Sequence, residues 1–84
     1  MEITVQLFAM LRDRVPKTSP DGYGFPIQVT PETTPQHIID QLEIPPVMAH
    51  LVMINGTHLT PDEVKNRPFQ EGETLSIFPP IAGG

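Results

Sequence analysis

Apolar and polar side chains alternate strictly at the start of the chain. Residues 2–8 place their aliphatic side chains on one face and polar side chains on the other, which is the period of a half-buried β-strand. The alternation recurs over residues 25–30 and 74–78. Within the second of these segments, Pro26 lacks the N–H of a ladder donor and must lie at the start of a strand or on a sheet edge. The pattern therefore predicts three strands.

Helical spacing replaces this alternation in the middle of the chain. Thr34 is a suitable N-cap, Pro35 suits the first helical position, and the segment 44–46, Ile-Pro-Pro, ends the pattern. Residues 60–63, Thr-Pro-Asp-Glu, predict a second, shorter helical turn that begins with a capping box. The apolar face of the main helix consists of Ile38, Ile39 and Leu42.

A tight hairpin and the order of elements predict the fold. Residues 51–54 are a continuous apolar run, and Asn55-Gly56 tolerates positive φ at both centres of a type I′ turn. The order strand, strand, helix, hairpin, strand predicts an α+β β-grasp, a mixed sheet of four to five strands covered by one main helix, with the first strand beside the last. We expect one domain over residues 1–78 and a flexible tail over residues 79–84 that ends in Gly-Gly.

Composition narrows the classes of function. The 84 residues include no cysteine, which excludes disulfides, thiolate zinc sites and cysteine nucleophiles. The net charge is −5, and residues 18–64 contain six acidic residues and no Lys or Arg. Such a surface repels phosphate backbones, so we expect no nucleic-acid partner. No apolar run is long enough to span a membrane, and the start lacks a secretory signal, which predicts a cytoplasmic protein without a membrane partner.

The remaining candidate metal ligands and catalytic residues do not predict an active site within the domain. The three histidines, His37, His50 and His58, show no ligand spacing, so we expect neither a metal site nor a bound cofactor. Asp62 and Glu63 fit a helix start better than a catalytic carboxylate pair.

The last residues stand apart from this domain. Pro79 and Pro80 fix φ and donate no ladder hydrogen bonds, so they stop the last strand and direct the chain outward. Ile81 and Ala82 form a short spacer before Gly83 and Gly84. Glycine has no Cβ, so the backbone and terminal carboxylate fit into a narrow slot of a partner.

With this tail, the whole chain resembles the ubiquitin-like sulfur carriers, a family that includes the small subunit of molybdopterin synthase and the carrier of thiazole synthesis. The double proline resembles the molybdopterin branch, whereas Ile-Ala-Gly-Gly also resembles the thiazole branch. The internal motifs that carry the resemblance are Leu7-Phe8-Ala9, Leu11-Arg12-Asp13, Ile54-Asn55-Gly56 and Gln70-Glu71-Gly72-Glu73.

The resemblance implies that the chain is a substrate or subunit rather than an enzyme. An adenylating enzyme that uses ATP would activate Gly84, a sulfur donor protein would convert it to a thiocarboxylate, and a large synthase subunit or a thiazole synthase would receive the sulfur. Molybdopterin synthesis is the primary hypothesis. Thiamine thiazole or another sulfur-containing metabolite, a ubiquitin-like protein modifier and a passive interaction domain are the alternatives.

The resemblance also implies an apolar docking patch near the root of the tail. Phe8 and Phe78 match this patch, because the alternation places both on the opposite face of their strands from the inward-facing residues. In the hairpin, either His58 or Leu59 takes the position where the family has an apolar side chain.

Overall fold

The structure is a computed structural model that describes residues 1–80, and it confirms the predicted α+β class. No helix in this range is long and apolar enough to cross a membrane. The strands are β1 (Glu2–Leu7), β2 (Gly24–Gln28), β3 (Leu51–Ile54), β4 (Thr57–His58) and β5 (Thr74–Phe78). The α-helices are α1 (Pro35–Gln41) and α2 (Pro61–Asn66), and two 3-10 helices, η1 and η2, span Ala9–Arg14 and Pro46–Met48.

The sheet has the β-grasp arrangement that the order of elements predicted. Its five strands lie in the order β2-β1-β5-β3-β4. The first and last strands are parallel neighbours in the centre, with Val5 opposite Leu75 and Leu7 opposite Ile77. The other pairs are antiparallel. The chain therefore leaves the domain from the middle of the sheet.

Both helices begin as predicted. The hydroxyl of Thr34 accepts a hydrogen bond from the N–H of His37, and that of Thr60 accepts one from the N–H of Glu63. In each case the side chain of the third helical residue accepts a hydrogen bond in return from the N-cap N–H, which completes a capping box. In α1 the returning acceptor is the Nδ1 atom of His37 instead of the usual Glu or Gln.

One face of the sheet and the helices enclose the core. Val5, Leu7, Leu75 and Ile77 of the central strands have no measurable exposure, and Ile38 of α1 is 1% exposed. Burying each such side chain stabilises the fold by about 1.5–3 kcal/mol. The alternation in the sequence thus separates a buried face from an open face.

Some boundaries differ from the predicted ones. The first strand ends at Leu7, before Phe8, and the second spans Gly24–Gln28 rather than residues 25–30. It ends early because the N–H of Thr30 bonds to the hydroxyl of Thr33 and starts a turn. The turn predicted at residues 8–12 is the 3-10 helix η1, and η2 was not predicted.

Pro26 occupies an edge position, as its chemistry requires. The ladder bonds from Leu7 N–H to Tyr23 O and from Val29 N–H to Met1 O place the hydrogen-bonded pairs at the odd-numbered residues of β2. The nitrogen of Pro26, opposite Thr4, therefore faces the outer edge of the sheet. The missing donor weakens that edge as a template for another strand.

Candidate functional site

The candidate site lies on the open face of the sheet, where the two central strands end. Since Leu7 pairs with Ile77 in parallel register, the next residues of the two chains, Phe8 and Phe78, come side by side. Their rings stack with centroids 4.2 Å apart and an angle of 7° between the planes. Both side chains are half-buried, so each ring is partly accessible to a partner.

A loop residue extends this pair into an aromatic cluster. The ring of Tyr23 lies 5.6 Å from that of Phe8, tilted by 40°. The guanidinium of Arg12 covers the ring of Tyr23 at 4.1 Å from its centroid, within the range of a cation–π contact. The Nε of Arg12 also donates to the carbonyl of Gly22 at 3.2 Å. We call Phe8, Phe78, Tyr23 and Arg12 the aromatic patch.

Asp21 holds the loop that presents Tyr23. Its Oδ1 accepts hydrogen bonds from the N–H groups of Tyr23 at 2.8 Å and Gly24 at 2.9 Å. These bonds favour the carboxylate, and they lower the pKa of Asp21, with the bond from Gly24 contributing most. The conformation of the loop around Tyr23 is therefore stabilised by the local hydrogen bonds to Asp21.

The hairpin places the two remaining patch candidates differently. His58 is exposed and pairs with Met53 across the hairpin, so both project from the same face of the sheet. Leu59 is 6% exposed and belongs to the core, so it is not available on the open face. His58 lies on the edge strand, two strands away from Phe78.

Leu51 and Met53 add apolar surface that the sequence did not single out. Leu51 lies opposite Phe78, and Met53 lies opposite Ser76, on the face away from the buried Val52 and Ile54. The sequence could have indicated this surface, because alternate residues of a strand face opposite sides. Within residues 51–54, Leu51 and Met53 therefore lie on the face opposite to Val52 and Ile54.

The root of the tail is held in the sheet. The N–H of His50 donates to the carbonyl of Phe78 at 3.1 Å, Pro79 is buried, and Pro80 is exposed. The predicted tail residues Ile81, Ala82, Gly83 and Gly84 lie outside the described residues. The aromatic patch is thus next to the point where the chain leaves the domain.

Groups that hold metals do not converge within residues 1–80. No three residues among His, Asp and Glu lie close enough there to bind a metal ion. His37 is engaged in the cap of α1.

A family model, described as the ThiS family, matches residues 5–84. The chain belongs to the ThiS family. This match begins within β1, includes every later strand and helix of the described residues, and extends through Gly84. It identifies the chain as a member of the ubiquitin-like sulfur carriers, small proteins that act with partner enzymes.

Solved structures confirm the fold of this ThiS-family protein. The crystal structure of SAMP1 from Haloferax volcanii matches with a TM-score of 0.69 at 18% identity, over 100% of both chains. A chain from the complex of subunits 1 and 2 of molybdopterin-converting factor from Helicobacter pylori 26695 matches with a TM-score of 0.59 at 18% identity, again over 100% of both chains. A comparison with curated proteins finds no match.

Proposed function

We propose that this chain carries sulfur as a thiocarboxylate on the terminal carbon of Gly84. The observation that carries the proposal is the family match, which extends to the final Gly-Gly. At neutral pH a free terminal carboxyl group, with a pKa of about 3.5, is an anion and a poor electrophile. It therefore needs activation by a partner.

In the proposed reaction, an oxygen of the Gly84 carboxylate attacks the α-phosphorus of ATP in an adenylating enzyme, and pyrophosphate leaves. The terminal sulfur of a persulfide on a donor protein then attacks the acyl carbon, and AMP leaves. A thiol cleaves the new S–S bond, which releases the thiocarboxylate and a disulfide. In this proposal the chain acts as a substrate of its partners, which supply the catalytic groups and use the ATP.

The aromatic patch is proposed as the docking surface for the adenylating enzyme and the large synthase subunit. Its stacked rings of Phe8 and Phe78 flank the exit of the tail. Five residues from Pro80 to Gly84 span roughly 17 Å when extended, so a partner that holds the patch can receive Gly84 in a buried site. Ordering the tail costs about 1–2 kcal/mol per residue, which contacts with the patch offset.

The primary hypothesis for the pathway is molybdopterin synthesis in the cytoplasm, supported by the double proline of the tail. Thiazole synthesis is the alternative, supported by the order Ile81-Ala82-Gly83-Gly84. The two pathways can be distinguished by supplying the thiocarboxylate form of the protein to each purified synthase, because only the cognate enzyme consumes the thiocarboxylate.

Intact-mass spectrometry tests the carrier chemistry. After incubation with ATP, the adenylating enzyme and a persulfide donor, the protein should gain the mass difference between a sulfur and an oxygen atom. It should then react with iodoacetamide, which alkylates the new sulfur. A variant without Gly83 and Gly84 is the control. Persistently unchanged mass would refute the proposal.

Two further outcomes identify the other classes. Conjugates in which Gly84 is joined to a lysine of another protein would identify a protein modifier. Full function of the variant without Gly83 and Gly84 would identify a passive interaction domain.

A further inference from the structure

A second surface, on the helical side of the sheet, is separate from the aromatic patch. It is an open groove of about 240 Å³ formed by α1, η2, β3, β4 and α2, and we call it the helix groove. Its apolar walls include Ile39, Val52, Leu59 and Val64. Small-molecule pockets usually enclose about 300–1,000 Å³, so this groove suits a few side chains better than a whole cofactor.

The rim of the helix groove has a charge opposite to that of the chain. Among the described residues that line the groove, Lys65 carries a formal positive charge and none is acidic. The chain as a whole carries −5, and Lys65 follows a long segment, residues 18–64, without Lys or Arg. A cationic side chain beside an apolar groove is therefore a local exception on an acidic surface.

The acidic side chains of the flanking helices form hydrogen bonds within their own helices or helix caps. Asp40 accepts a hydrogen bond from the side chain of Gln36 at 2.9 Å, and Asp62 accepts one from Asn66 at 3.1 Å. Glu63 closes the capping box with the N–H of Thr60 at 2.8 Å. Among residues 1–80, the one ion pair is that of Arg67 with Glu73, so Lys65 has no carboxylate partner within this range.

We propose that the helix groove binds an acidic peptide segment of a partner protein, which inserts aliphatic side chains between α1 and α2 and places a carboxylate at Lys65. Charge complementarity selects this occupant. The apolar walls provide contact area, and the cation fixes the orientation of the segment. Neither requirement involves the tail.

The probe is the peptide acetyl-Asp-Leu-Glu-Ile-Asp-amide, titrated into the full-length protein and followed by amide chemical shifts. Saturating shifts are expected at Ala49, His50, Val64 and Lys65, with none at Phe8 or Phe78. Replacing Leu and Ile of the peptide by Ser should abolish the shifts. Lys65→Glu should weaken binding by up to about fivefold, since an exposed charge pair contributes up to about 1 kcal/mol.

Lys17→Glu is the matched control, because it makes the same change of charge in a loop that does not line the groove. Equal weakening by both variants would overturn the proposal in favour of a general charge effect. Shifts confined to the aromatic patch, or no saturation, would also overturn it.

Removing residues 81–84 separates this proposal from the sulfur-carrier proposal. The truncated chain loses the proposed thiocarboxylate chemistry but should bind the peptide with unchanged affinity. Tighter binding after truncation would identify the chain's own tail as the occupant and overturn the proposal. Shifts of the same residues on concentrating the free protein would identify a second copy and overturn it too.

Discussion

Arg67 and Glu73 form a bidentate ion pair across the loop that leads from α2 into β5. The two N–O distances are 3.1 and 2.8 Å, and Glu73 also accepts from the N–H of Gln70 at 2.7 Å. The side chain of Glu73 is 10% exposed. This geometry fixes the entry into the strand from which the tail leaves.

Replacing Glu73 by Gln should therefore destabilise the domain. The amide cannot match both guanidinium donors, and hydrogen bonds to charged groups contribute about 1.5–3 kcal/mol each to stability. Urea unfolding monitored by circular dichroism measures the loss. Glu71→Gln is the control, since Glu71 is exposed and, within residues 1–80, its side chain accepts a single hydrogen bond, from the N–H of Glu2. An equal loss in both variants would contradict this role of the ion pair.

The same pair predicts a pH dependence of stability. The hydrogen bond from Arg67 is the main cause that lowers the pKa of Glu73 below its ordinary 4.5. A lowered carboxyl pKa in the folded state gives stability that is present above pH 4.5 and is lost as the pH falls through the folded-state pKa. The free energy of unfolding should decline in this acidic range, and the decline should be smaller in Glu73→Gln. Parallel declines in the two proteins would rule out this assignment.

The stacked rings should show a measurable coupling. A double-mutant cycle with Phe8→Ala, Phe78→Ala and the double variant should give about 0.5–1.5 kcal/mol of interaction free energy in urea unfolding. A matched cycle with Phe8→Ala and Met53→Ala should give much less, because Met53 lies opposite Ser76 rather than beside Phe8. Additive effects of the two phenylalanine changes would show that the stacking has no energetic role.

A glutamate takes the position at the end of α1 where glycine is usual. Glu43 has a φ of +57°, and its N–H bonds to Asp40 O while the N–H of Ile44 bonds to Ile39 O, which is a Schellman motif. Left-handed backbone costs about 1–2 kcal/mol for a residue with a Cβ, so Glu43→Gly should stabilise the domain by about 0.5–1 kcal/mol after the loss of chain entropy. Thermal unfolding measures the gain. Glu43→Ala is the control and should give none.

Without Pro26, the edge strand β2 should promote association between copies of the protein. Pro26→Val supplies an outward N–H and a strand-forming side chain in the middle of β2, so the variant should associate with increasing concentration. Light scattering detects this association. Gln28→Val adds a similar side chain but keeps Pro26, and it should behave as the parent protein does; association of both variants alike would point to surface hydrophobicity as the cause.

The sequence predicted what depends on local chemistry. The caps Thr34 and Thr60, the Asn55-Gly56 turn and the alternating strands were predictable, because each depends on neighbours within a few residues. Pairing of β1 with β5 followed from connection rules.

Long-range side-chain contacts were not predictable in this way. Arg14 donates to the carbonyls of Leu42 and Glu43, 28 and 29 residues away, and no periodicity signals such a bond. The packing of Tyr23 on Phe8 depends on a loop whose path is fixed by Asp21. Sequence reasoning left two residues open for the hairpin position, and the phase of β4 places His58 outward and Leu59 in the core.

The position of β5 in the sheet has a mechanical consequence. This strand is bonded to β1 on one side and to β3 on the other, and the chain continues from its end. A pull directed along the axis of this strand would load both ladders of hydrogen bonds in shear at the same time instead of peeling them apart one by one. The two neighbouring strands would therefore share the load of such a pull.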